Sequence, residues 1–223
     1  MSTALAASPA PVAAPVCDRL QSHPLSSYYR WHAGIYDLTR WAFLFGRRSL
    51  VRSISRHMMM PQRILEIGCG TGSNLVALAE RFPKAQIIGL DLSRDMLSRA
   101  RRKVRHYGGR VGLIHRAYDA PVALGRRFDL IVCSYSLSMI NPGYDEVLRI
   151  CREDLSARGI VAVADFHRSP HAWFRRWMGV NHVRMEGQVL ATLDEHYQPL
   201  SCEVRQGYGG LWSYLNYIGS PLK

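Results

Sequence analysis

The sequence predicts an α/β domain built on a doubly wound parallel sheet that closes in an antiparallel hairpin. Three observations carry this reading. Short apolar runs alternate with helical patterns between residues 63 and 166. The first strand-to-helix junction, Glu66-Ile67-Gly68-Cys69-Gly70-Thr71-Gly72, alternates three glycines as in a tight turn against which a ligand can press. The last part of the chain breaks the alternation: Glu203–Tyr208 and Leu211–Ile218 read as two strands around Gly209-Gly210.

The elements follow in order. Residues 1–22, rich in Ala, Pro and Ser, read as a disordered tail without the basic start and apolar run of a signal peptide. Residues 23–58 read as a helical lid with a membrane-facing segment, and 59–223 as the ligand-binding domain. Within it a strand is expected at 63–67 and its helix at 72–82. A second strand covers 86–90, with a helix from 94 to about 106 that Ser93 caps and Asp95 supports in its first turn. A third strand falls near 111–115. Phe128–Cys133 is a short apolar run suited to a buried parallel strand. A helix at 143–154 and a strand at 159–166 complete the alternation.

Composition narrows the class. The 223 residues are 48% apolar, enough for one substantial core. No run of about 18 apolar residues exists to span a membrane. Cys17, Cys69, Cys133, Cys151 and Cys202 are scattered, with no paired spacing, so they imply a reducing compartment, small buried side chains and no metal site. His167 and His171 are separated by Pro170, which argues against a helical metal pair.

The formal charge of +12 directs the chain toward anionic partners. It is unevenly spread. Arg40, Arg47, Arg48, Arg52 and Arg56 share an acid-free segment with Trp41, Phe43, Leu44, Phe45, Leu50, Val51 and Ile54. A second acid-free stretch, Phe166–Met185, holds Arg168, Arg175, Arg176 and Arg184 beside Trp173, Phe174, Trp177 and Met178. Arginine with tryptophan in amphipathic segments is the composition of an interfacial helix; a basic face over a buried apolar side is the alternative.

The glycine spacing separates ligand classes. Dinucleotide sites use G-x-G-x-x-G, with a pyrophosphate on the helix N-terminus. Here the order is E-x-G-x-G-x-G, and a carboxylate before the turn suits a ligand with positive charge, such as an amino group. Asp91 ends the next strand, where a carboxylate can accept both hydroxyls of a ribose; a turn-forming role is its plainer alternative.

This pattern resembles the nucleotide-binding loop of class I S-adenosylmethionine-dependent methyltransferases, whose Rossmann-like sheet also ends in an antiparallel hairpin. The resemblance implies S-adenosyl-L-methionine as cofactor, with Glu66, Gly68, Cys69, Gly70 and Gly72 near its methionine part and Asp91 with Leu92 at its ribose. Asp119 and Ala120, after the third strand, match the place where the family puts an acid against the adenine amino group. Ser134, Tyr135 and Ser136, at the end of the fourth strand, are expected to form the floor of the acceptor site, with Ser134 also a cofactor contact; a Tyr135 that merely packs its ring while its hydroxyl meets a backbone carbonyl is the plainer alternative. Nucleic-acid amino methyltransferases carry a D/N-P-P-Y/F loop there, and this chain has Cys133-Ser134-Tyr135-Ser136, so no nucleic-acid partner is expected.

The aromatic segment upstream resembles a lid of the same family, with Tyr36-Asp37 matching its Y-D pair. Tyr28, Trp31, Ile35 and Leu38 follow the stripe of a core-facing helix, whereas Tyr29, His32 and Tyr36 share another face. Residues Tyr29–Arg47 further resemble bacterial diacylglycerylhomoserine N-methyltransferases, which trimethylate a lipid amine to the betaine lipid diacylglyceryl-N,N,N-trimethylhomoserine. That resemblance implies a lipid headgroup N-methyltransferase, cytoplasmic and peripherally bound to the inner face of an anionic membrane, with the upstream enzyme of betaine lipid synthesis as a further partner. Tyr36, Tyr135 and His32 are then candidates for orienting or deprotonating the amine, Tyr29 for the cofactor, and Tyr28, Arg30, Arg40 and Ser136 for the substrate. Phosphatidylethanolamine, or another membrane-associated acceptor such as a quinone precursor, is the alternative acceptor. A basic nucleic-acid-binding module is the reading from another class; it explains the charge but leaves the glycine turn and Asp91 unexplained.

Overall fold

The computed structural model describes residues 44–123, 125–180 and 183–222. The expected tail at 1–22, most of the expected lid at 23–58, and Cys17 lie outside them. The described chain begins with α1 (Arg47–His57), then β1 (Arg63–Ile67), α2 (Ser73–Arg81), β2 (Gln86–Asp91), α3 (Arg94–Val104) and β3 (Val111–His115). There follow β4 (Phe128–Ser134), α4 (Tyr144–Asp154), β5 (Leu155–Phe166), α5 (Ala172–Val180), α6 (Gln188–His196), β6 (Tyr197–Gly207) and β7 (Trp212–Pro221).

The seven strands form one sheet in the order β3-β2-β1-β4-β5-β7-β6. Strands β1 to β5 are parallel, and β7 is antiparallel to both β5 and β6. This is the expected doubly wound sheet with a closing hairpin. The order reverses between β1 and β4, so their carboxyl ends open a crevice at the switch point. Strand β4 is apolar without alternation because both faces are covered: Leu130, Ile131, Val132 and Cys133 are all fully buried.

One core lies on each face. On the first, α1 contributes Leu50, Val51 and Ile54, which pack with Leu75 and Leu78 of α2, Leu97 of α3 and Phe174 of α5. The apolar side of α1 is therefore core, and the membrane face expected of this segment does not include it. On the second face Val147 and Leu148 of α4 and Leu193 of α6 pack with Ile131 and Tyr217. Among the described residues no helix is long and apolar enough to cross a membrane.

Two buried carboxylates fasten loops beside the crevice. Asp154 closes α4 and accepts from Tyr118 Oη (2.8 Å), Val122 N (2.9 Å) and Ala123 N (2.8 Å), which pins the loop after β3. Asp165 near the end of β5 accepts from Ser138 N (3.1 Å) and Phe166 N (2.8 Å), which holds the turn after β4. Burial pushes the Asp165 carboxyl up to about 6, against these hydrogen bonds.

Three boundaries depart from expectation. Strand β5 starts at Leu155, because α4 runs directly into it and a register shift against β4 absorbs the residues before Ile160. Strand β6 starts at Tyr197, and α6 is additional; its short pattern carries only Val189, Thr192 and Leu193 as buried positions. Cys69, Cys133 and Cys151 are buried as expected, whereas Cys202 is exposed, since edge strand β6 leaves most of its side chains in solvent.

Gly72 caps α2 at φ 79°, and a Cβ there would lie 3.0 Å from Ala100 Cβ and 3.1 Å from Ala100 Cα on α3. Both the left-handed backbone and the packing oppose a side chain. Gly72→Ala is expected to cost about 2–4 kcal/mol, read as a fall in Tm of about 5–15 °C at roughly 2–4 °C per kcal/mol.

Candidate functional site

The crevice holds two cavities that meet at Gly70. The smaller, about 290 Å³, is mainly apolar. Gly68 and Gly70 form one wall, Leu92 and Met96 another, and Met139 and Ile140 a third, with Asp91, Asp119 and Glu146 as the acids along it. The larger, about 890 Å³, is polar and cationic. It is lined by Glu66, Cys69 and Asn74 at the turn, by Arg47, Arg48 and Arg52 of α1, and by Lys103, Arg205, Phe45 and Tyr214.

The glycine turn is shaped by what it must avoid. Gly68, Gly70 and Gly72 all have positive φ. A Cβ on Gly68 would come within 2.7 Å of Ser136 Cβ, so the loops after β1 and β4 can touch only because Gly68 has no side chain. The turn is tied to β2 as well: Gly68 N and Cys69 N donate to Leu90 O. Gly70 N donates to Asp91 Oδ2 (2.7 Å), and Ser93 N donates to Asp91 Oδ1 (2.9 Å). These two backbone donors hold the Asp91 carboxylate at the tip of β2, where it lines the smaller cavity.

Glu66 is the most unusual group in the crevice. It is 2% exposed, and its Oε2 has no hydrogen-bond partner. Burial raises its carboxyl from 4.5 to about 8, partly offset by the Arg47 guanidinium and the Asn74 amide, and Asp91 adds to the rise. An unsatisfied acid costs free energy in the ligand-free protein and calls for a donor, most strongly for a cationic one.

The expected site residues divide as follows. Glu66 and Cys69 line the larger cavity; Gly68, Asp91, Leu92, Asp119, Tyr135 and Ser136 line the smaller; Gly70 lines both. Asp119 is 76% exposed and paired with Arg116 at 3.2 Å. Gly72 lines neither; its part is the close approach to Ala100. Ala120 also lines neither, being turned to solvent with its carbonyl accepting from Arg116. Ser134 lies beneath the floor, buried, with an unpartnered Oγ, because β4 continues one residue further than expected. Tyr28, Tyr29, Arg30, His32, Tyr36 and Arg40 lie outside the described residues.

Tyr135 takes the plainer of its two expected roles, a packed ring with its hydroxyl on a backbone carbonyl, and not that of a proton acceptor. It sits at φ 56°, fully buried against Phe166, and its hydroxyl donates to Phe45 O. Burial and Asp165 hold the phenol well above its usual range, so it stays protonated at neutral pH. It ties Phe45, two residues before α1, to the floor. Tyr135→Phe is expected to cost about 1–2 kcal/mol of stability and to leave the pH profile of any activity unmoved, measured by thermal unfolding and a pH–rate series.

Three lining features escaped sequence reasoning. Asn74 has no motif around it. Arg47 reads as one more surface arginine, although its charge acts on buried Glu66. Lys103, in a run that reads as an outer helix face, reaches back to donate to Thr71 Oγ1 (3.0 Å) and Ser73 Oγ (2.9 Å) beside the turn.

Comparison with known proteins fits this geometry. Residues 64–159 match a family model described as a methyltransferase domain. The malonyl-[acyl-carrier protein] O-methyltransferase of Priestia megaterium is 29% identical over 130 residues, covering 58% of this chain and 46% of that protein. The chain spans between 25% and 56% of the length of the first three curated relatives that it matches. Among solved structures, the N-methyltransferase NodS of Bradyrhizobium japonicum, in complex with S-adenosyl-L-homocysteine, aligns with a TM-score of 0.66 at 19% identity, over 79% of this chain and 86% of that one. The 1,6-didemethyltoxoflavin-N1-methyltransferase of Burkholderia thailandensis, with substrate and S-adenosylhomocysteine bound, aligns with a TM-score of 0.67 at 17% identity, over 97% and 94%. Those likenesses establish the fold of the chain.

Proposed function

We propose that this chain is an S-adenosylmethionine-dependent methyltransferase, and that its acceptor is the amino group of diacylglycerylhomoserine, trimethylated to the betaine lipid. The observation that carries the first part is the buried, unpartnered carboxyl oxygen of Glu66 beside a side-chain-free turn, with the Asp91 carboxylate held at the tip of the next strand. These groups fit the cofactor. Glu66 offers an acceptor to its amino group, Asp91 to its ribose hydroxyls, and the apolar walls of the smaller cavity suit a purine, with Asp119 at the edge. When bound, the cofactor supplies an electrophilic methyl group on sulfur.

The protein's own task is alignment and exclusion of water. The Ser136–Gly68 contact and the Asp165-held turn give a rigid floor. Phe45 and Tyr214 stack at 6.2 Å between centroids in the wall of the larger cavity. Aromatic faces there favour an ammonium that gains methyl groups and keeps its charge. Arg48, Arg52 and Lys103 favour an acceptor that also carries a carboxylate. His32 and Tyr36 remain the proposed amine-orienting groups. What supports the homoserine acceptor over other amines is the resemblance of Tyr29–Arg47, together with this cationic wall.

The test is transfer of a labelled methyl group from S-adenosylmethionine into a lipid extract containing diacylglycerylhomoserine, with mass spectrometry of the product. Mono-, di- and trimethylated homoserine lipids are expected in succession. Label confined to ethanolamine lipids, or absent from the lipid fraction, would overturn the acceptor assignment. Absence of S-adenosylhomocysteine binding would overturn the methyltransferase reading itself.

A further inference from the structure

Helix α5 carries more apolar surface than the fold uses. Phe174 and Met178 enter the core, and Phe174 stacks on Trp212 at 5.7 Å. Trp173, Trp177 and Val180 stand at i, i+4 and i+7, so they form one stripe along the helix. They are 64%, 49% and 74% exposed. A tryptophan half in water forgoes much of the burial gain open to it, and contiguous apolar stripes are uncommon on monomer surfaces unless something docks there. The surroundings are cationic. Arg168, Arg175, Arg176 and Arg184 are all exposed, and the sequence from Phe166 to Met185 contains no acid.

Aromatic contacts through the core also link the stripe to the crevice wall. Trp173 and Trp177 each contact Phe174, at 5.6 Å in both cases. Beyond Phe174, Trp212 contacts Phe45 at 5.8 Å and Tyr208 at 4.9 Å. Phe45 and Tyr208 are themselves exposed, and Phe45 lines the larger cavity. The exposed stripe on α5 and the Phe45 wall of the cationic cavity are thus joined through buried Phe174 and Trp212.

We infer that α5 docks the protein on an anionic lipid surface, with Trp173, Trp177 and Val180 entering the interfacial layer and the flanking arginines meeting anionic headgroups. Charge selects this occupant: tryptophan prefers the boundary between headgroup and acyl chain, and arginines beside it add attraction to anionic lipid. The inference rests on the lipid-headgroup reading and deepens it, because it holds the protein on the kind of surface that carries such an acceptor.

The test uses the full chain and sedimentation with vesicles of mixed phosphatidylglycerol and phosphatidylcholine, or of phosphatidylcholine alone. Binding is expected only to the anionic vesicles, with a blue shift of tryptophan emission and weakening at high salt. The double variant Trp173→Ala/Trp177→Ala is expected to bind at least tenfold more weakly and Arg176→Glu several-fold more weakly, both with wild-type affinity for S-adenosylhomocysteine, which certifies an intact fold. Wild-type protein that ignores anionic vesicles at low salt, or a double variant that binds them equally well, would overturn the docking assignment. So would a wild-type dimer that the double variant dissociates while vesicle binding is absent, since the stripe would then face a second copy. Vesicle binding with no methylated lipid would leave docking intact and remove only the acceptor.

Discussion

Asp91→Ala is expected to weaken S-adenosylhomocysteine binding by about 100- to 10,000-fold, the largest loss from any single substitution in the crevice. Asp91 accepts from Gly70 N and Ser93 N, which shapes the turn, and it lines the smaller cavity. Two hydroxyl bonds to a charged carboxylate contribute about 1.5–3 kcal/mol each, and a factor of ten corresponds to about 1.4 kcal/mol. Removal also leaves the Gly70 amide without its acceptor, adding a smaller loss of stability of about 1–2 kcal/mol. Asp91→Asn keeps one accepting oxygen and is expected to fall between wild type and alanine. Titration calorimetry decides the matter: an alanine variant within threefold of wild type would remove Asp91 from the ribose site.

The second large effect is a proton linkage at Glu66. Its carboxyl is raised to about 8 in the ligand-free protein, so it is mostly protonated at neutral pH. A cationic amino group placed beside it lowers that value, and binding then expels a proton. Because the bound state holds fewer protons, affinity rises with pH, by up to about tenfold per pH unit below about 8, and levels off above it. The sign for stability is opposite. The folded value lies above the unfolded one near 4.5, so the ionised form is penalised only in the folded chain, and the ligand-free protein loses stability as pH rises from about 4.5 to 8. The full penalty is of the order of 4–5 kcal/mol. Glu66→Gln is expected to flatten both profiles and to melt higher than wild type at pH 8 without ligand. Isothermal titration in buffers of different ionisation heat would count the released proton. Equal slopes in wild type and Glu66→Gln would assign the linkage to another group.

The glycine turn, the acid before it and the acid ending β2 were legible because each is a local pattern with a physical reason. Alternating glycines meet a backbone that needs positive φ, and buried parallel strands read as uninterrupted apolar runs. Strand β1 and strand β3 coincide with their expected ranges for that reason. Helix α6 and the first half of β6 were not legible, because α6 buries few positions and β6 is an exposed edge whose partner, β7, is the source of its order. The role of Asp154 was hidden for a different reason. A carboxylate at the end of a helix gains its three donors from a loop more than thirty residues away in sequence.

The sequence by itself determined the fold class, the turn at Glu66–Gly72 and the pairing of that turn with Asp91, since backbone conformation and strand periodicity are written locally. Only the tertiary structure decided what each side chain does there. Arg47 and Lys103 read as surface charge and instead line the cavity; Ser134 and Ala120 read as lining and instead lie below it or in solvent. Tyr135 read either as an amine-facing hydroxyl or as a packed ring tied to a backbone carbonyl, and the tie to Phe45 is what the fold makes. Helices α1 and α5 both set arginines beside apolar residues, yet α1 turns Leu50, Val51 and Ile54 to the core and α5 leaves Trp173 and Trp177 outside. That choice depends on which face meets the sheet, and burial is a property of neighbours brought together by folding, which no single segment encodes.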